Sequence, residues 1–249
     1  MKYDIDIDNI QYSPIWNYRY EQWFCETHYN GKTLSDDERR NMINQINEHI
    51  SDTSEGLPII KRILESLKDF HDEGHNVYRT IVSVMQFIGL TMIDSMVITK
   101  YFVLADKDYD RRFMRGKMKV ILNEGFKKLY GFNDKTKRES EWNRLIPILK
   151  YFPEDIQHQY QHLSSLLDEH SKSSSWWRDE RNVETHLDAN KLYESRCEDI
   201  VESKVMMDSL KLFDTLFAVE CFLSNMHACF NNTLIDMYRR GELKEEQFK

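Results

Sequence analysis

Arg181, Asn182 and His186 stand together in one short polar segment, Arg181-Asn182-Val183-Glu184-Thr185-His186. These residue types suit a particular chemistry. An unperturbed imidazole titrates near ~6.5, so it gives or takes a proton at cellular pH. A guanidinium is permanently charged, and its planar fork matches phosphate oxygens bidentately. One Arg and one His at a phosphodiester can stabilise the crowded anionic transition state and move the proton of a 2′-hydroxyl or a leaving group. That reaction asks for no metal. The adjacent Trp176 and Trp177 anchor the segment on one side, and Asp188 is placed to cap the helix that follows. On an ideal helix, residues five apart point about 140° from each other. Arg181 and His186 therefore converge only if the backbone breaks before Asp188 or if a second subunit completes the site. The same run, with Arg178, Asp179, Glu180, Arg181 and Glu184, also suits surface ion pairs of little energetic consequence.

An Arg followed by a polar residue, with His five positions on, resembles the R-x4-H motif of the HEPN superfamily (higher eukaryotes and prokaryotes nucleotide-binding). The resemblance covers about residues 55–240. It implies an all-α bundle that dimerises, with two motifs at a shared cleft, and a metal-independent endoribonuclease of a defence or toxin–antitoxin system, without cofactor. It implies roles for Arg181 as phosphate ligand and transition-state stabiliser, Asn182 as orienting group and His186 as acid or base. RNA or a nucleotide is then the expected ligand, a homodimer the expected assembly and a neutralising protein a further partner. The alternative is a helical module that binds nucleic acid, nucleotide or protein without cleaving.

A second feature is electrostatic. Lys107, Arg111, Arg115 and Lys119 recur every four residues, which places them in one stripe on a helix. Residues 107–138 hold 11 Lys and Arg against four carboxylates, a local charge of +7 in a chain of net −8. With Arg178 this stripe is the expected nucleic-acid-binding surface; a solvated helix face is the simpler alternative. The overall negative charge repels polyanions at long range and argues against a general nucleic-acid coat protein.

Other constellations are thinner. His158 and His162 share a helix face with Asp155, a spacing that could hold a metal. Gln159 stands where a zinc-protease signature needs Glu, so that chemistry is absent and no metal is expected. Asp94, inside an apolar run, is a candidate buried carboxylate, with pairing to a Lys or Arg of a neighbour as the simpler expectation. Tyr12, Trp16, Tyr18, Tyr20, Trp23 and Phe24 form an aromatic cluster that either binds a ligand or pins the N-terminal arm to the core. There is no Gly-rich phosphate loop and no G-x-S-x-G, so kinase, hydrolase and dehydrogenase readings lack support.

The elements that must position these residues are helices. The chain holds only 8 Gly and 4 Pro where average usage gives roughly 17 and 12, so turns are few and elements long. The expected fold is an all-α, multi-helix bundle with a long C-terminal helix and an N-terminal extended, aromatic arm. Residues 1–34 are the arm, where Tyr3, Ile5 and Ile7 alternate with Asp4, Asp6 and Asp8; residues 35–249 are the bundle. Within the bundle, Ser35-Asp36-Asp37-Glu38 starts a helix expected to reach about His49, with Gly56-Leu57-Pro58 as a break. An apolar helix follows over about Val77–Leu104, a two-sided one over Lys107–Tyr130, shorter pieces around Trp142–Tyr151, and one from Pro153 to about His170. Ser171–Ser175 is a polar linker, and Asp188 to about Arg239 is helical. Leu212, Leu216, Val219, Leu223, Met226 and Phe230 make a heptad-like seam that packs either inside the bundle or across a dimer.

Hydrophobic residues at 41% and charged at 31% mark a globular chain. The longest apolar stretch, Thr80–Leu104, carries Gln86, Asp94 and Lys100, which suits a core helix better than a membrane span. Met1–Asp6 lacks the basic start and apolar run of a signal peptide, and Cys25, Cys197, Cys221 and Cys229 show no C-x-x-C pairing. A cytoplasmic location with reduced thiols is the expectation.

Overall fold

A computed structural model describes residues 36–173, 182, 190, 191, 193 and 202–241. Among them there is no strand, and the fold is an all-α, multi-helix bundle. The helices are α1 (Asp36–Ser66), α2 (Glu73–Leu104), α3 (Asp108–Leu129), α4 (Asp134–Arg138), α5 (Ile146–Leu149), α6 (Glu154–Ser173) and α7 (Glu202–Arg239), with a 3-10 turn at Asn143–Leu145. The arm expected over residues 1–34 lies outside the described residues.

Helix α2 is the hub, packed against α1, α3 and α7. By length and composition it could cross a membrane. Yet Ile81, Val84, Ile88, Met92, Met96, Phe102 and Val103 are buried in a core shared with Met118, Leu122 and Phe126 of α3 and Leu212–Met226 of α7. Its first turn is built locally. The Asp72 carboxylate accepts the His75 N–H at 3.1 Å as an N-cap. The Arg79 guanidinium donates to the Leu67 and Phe70 carbonyls and so closes the α1–α2 turn. Asp94, a candidate buried carboxylate in the sequence, lies on the exposed side of α2, where its charge stays hydrated.

Two helix boundaries differ from expectation. Helix α1 does not stop near His49 but runs through Gly56 and Pro58 to Ser66. A mid-helix proline costs about 3 kcal/mol. Here Pro58 and Ser54 are both exposed, so water can serve the Ser54 carbonyl that lacks its amide partner. Leu57 and Thr53 pack against Gly89 of α2, where a Cβ would stand 3.4 Å from the Leu57 side chain. Breaking the helix at Pro58 would pull those groups off α2. At the other end, residues 171–173 of the expected serine linker are the last turn of α6.

Helices α2 and α3 form a hairpin. Only Ala105, Asp106 and Lys107 join them, and Thr91 Cγ2 would stand 3.1 Å from a Cβ on Gly125. Leu212 of α7 meets the same point at 4.0 Å, while Tyr78, near the start of α2, bonds to His227 near the end of α7. Helix α7 is therefore antiparallel to α2 and parallel to α3. Its heptad seam lies inside this bundle: Leu212, Leu216, Val219, Leu223 and Met226 have no solvent exposure, and Phe230 packs on the core edge.

Helix α3 ends at a tight reversal. Gly131 adopts φ 88° and its N–H reaches the Phe126 carbonyl at 3.2 Å. Asn133 and Thr136 then form a capping box that starts α4. Backbone N–H groups of Glu141 and Trp142 return to the Lys128 and Leu129 carbonyls, each at 2.9 Å. Trp142 stacks on Tyr160 of α6 at 4.5 Å and donates through Nε1 to Ser164 Oγ at 2.9 Å. The helix expected over Trp142–Tyr151 is two short pieces, because Pro147 restarts the chain at the first turn of α5.

Candidate functional site

Arg178, Arg181 and His186 lie outside the described residues. Asn182 is within them: it is helical, half-buried and engaged by a neighbour. In the sequence the motif segment lies between the end of α6 at Ser173 and the start of α7 at Glu202. That start can be located in the bundle. From the meeting of Gly125 with Leu212, the parallel run of α3 and α7 brings the first turns of α7 to the level of Arg115 and Lys119.

The basic stripe of α3 leads to the same level, but it is not one surface. Lys107 is exposed and Arg111 half-buried, whereas Arg115 and Lys119 are each 1% exposed. The expectation of a solvated or phosphate-facing stripe over all four is corrected at its inner half. The physical reason is the helix's apolar phase. Met118, Leu122 and Phe126 turn toward α2 and α7, and Arg115, Lys119 and Asn123 share the inward side with them. Thr91, Ser95 and Thr99 of α2 are buried as well, so a polar layer runs through this part of the core. Thr99 Oγ1 donates to the Ser95 carbonyl at 2.9 Å and Thr91 Oγ1 to the Phe87 carbonyl at 2.9 Å, which leaves their methyl groups to pack. Arg115, Lys119 and Asn123 each have interactions of their own. Arg111 is tied locally: its Nε donates to the Ala105 carbonyl at 3.0 Å, and Asp108 lies 3.9 Å away.

A second polar cluster escaped sequence reasoning. Tyr78 and His227 are 149 residues apart in the chain, and no local spacing signals their meeting. The Tyr78 hydroxyl lies 3.0 Å from His227 Nε2, the Asn231 amide lies 3.4 Å from the same nitrogen, and Phe230 stacks on Tyr78 at 5.3 Å. Burial lowers the His227 pKa from its ordinary value of 6.5. The neutral ring accepts the Tyr78 proton; the charged ring cannot. The linkage follows in sign: this neutral His contributes stability fully present above about 6.5, lost as pH falls through the lower folded value. His227→Gln should therefore flatten part of the fall in urea-unfolding stability between about pH 7 and pH 5. An unchanged slope would show that the ring titrates alike in the folded and unfolded states.

His158 and His162, whose spacing could hold a metal, gain no further ligand among the described residues. His158 is exposed, 3.7 Å from Glu154, and among the described residues no group of three or more His, Cys, Asp or Glu is placed to hold a metal ion. Cys221 and Cys229 are free, and burial pushes the Cys221 thiol up to about 11, far from a reactive thiolate. Comparison with protein-family models, with curated proteins and with solved structures finds no match to this chain.

Proposed function

We propose that this chain is a HEPN-like helical protein that acts on RNA without a metal, through Arg181 and His186 with Asn182 orienting. The observation that supports this reading is the all-α, multi-helix bundle itself, the fold that the motif resemblance implies. In the sequence the R-x4-H segment lies between α6 and α7, and α3 carries basic residues that pass from the surface at Lys107 to the interior at Arg115 and Lys119. In the proposed reaction, His186 takes the proton of a ribose 2′-hydroxyl, whose oxygen attacks the adjacent phosphorus. The P–O5′ bond breaks, a 2′,3′-cyclic phosphate forms, and the departing 5′-oxygen takes up a proton. Arg181 spreads its charge over the non-bridging oxygens.

The test is cleavage of a mixed RNA pool with chelator present, comparing the wild-type chain with His186→Ala and Arg181→Ala. Wild-type activity that leaves cyclic phosphate ends and falls about a hundredfold on loss of His186 supports the reading. Equal cleavage by all three proteins, or intact RNA in every lane from folded protein, rejects it.

The alternative, a non-catalytic module binding nucleic acid, nucleotide or a protein partner, has its own support. Two of the four stripe residues are interior and Arg111 is held by Ala105, so fewer cations face solvent than the spacing promised. RNA bound but not cut would favour this alternative.

A further inference from the structure

We draw no further inference here: the strongest candidate, the exposed apolar patch that Leu90, Tyr101 and Leu104 of α2 form with Phe113 of α3 on the outer side of the hairpin, carries none because nothing in the structure shows what covers it.

Discussion

Replacing Arg115 by alanine is expected to destabilise the fold by about 3–5 kcal/mol, the scale for removing one member of a buried charged interaction. The guanidinium cannot shed its proton to suit an apolar site. At 1% exposure it also lacks the water that would otherwise solvate it. Its interactions must therefore supply the solvation, and truncation strands the groups that make them while opening a cavity between α3 and its neighbours. The urea midpoint should fall with little change in slope, and thermal unfolding should come roughly 10 °C earlier. Lys119→Met keeps most of the length of the side chain and removes its charge and N–H donors, so it separates packing from polar interactions and should cost less. Lys107→Ala, on the exposed end of the same stripe, should lie within about 0.5 kcal/mol of the wild type. Equal effects at Arg115 and Lys107 would mean that the stripe is solvated along its whole length.

Gly131→Ala should be nearly as damaging, for a backbone reason. At φ 88° a Cβ costs about 1–2 kcal/mol by itself. That atom would also stand 2.4 Å from the Lys137 amide nitrogen and 2.5 Å from the Thr136 carbonyl carbon, both backbone of α4. These atoms cannot rotate away as the tip of a long side chain would. The reversal would have to open, loosening the Asn133–Thr136 capping box and the return of Glu141 and Trp142 to the end of α3. A total loss of about 4 kcal/mol is expected in urea unfolding. Gly56→Ala is the control: nothing lies within 4 Å of its Cβ position and the site is helical, so the change should be neutral or stabilising by up to about 1 kcal/mol. Similar midpoints for the two alanine variants would show that the reversal has room the backbone does not suggest.

The fold class was legible in the chain because its causes are local. Scarce Gly and Pro, a 3.6-residue apolar period and capping residues such as Asp72 and Asn133 act within a few positions of themselves. Helices α2 and α3 accordingly fall within a few residues of their expected limits. The candidate chemistry was legible as residue types and spacing in the same way, Arg181, Asn182 and His186 being neighbours in one segment.

What tertiary structure decided was which side of each helix meets another. Periodicity defines a stripe but carries no label for inside or outside, so four basic residues spaced by four divide into an exposed Lys107, a half-buried Arg111 and an interior Arg115 and Lys119. The α7 seam chose the bundle only because α2, α3 and α6 present matching apolar faces. Pro58 stays inside α1 because Leu57 and Thr53 find Gly89 on α2, a partner 32 residues beyond Leu57. Tyr78 and His227 meet only once α2 and α7 lie antiparallel. Local propensity is worth about a kcal/mol or less at each ordinary position, whereas burying one large side chain is worth about 1.5–3. Where the two compete, packing between distant segments prevails, and a sequence pattern alone does not name the partner.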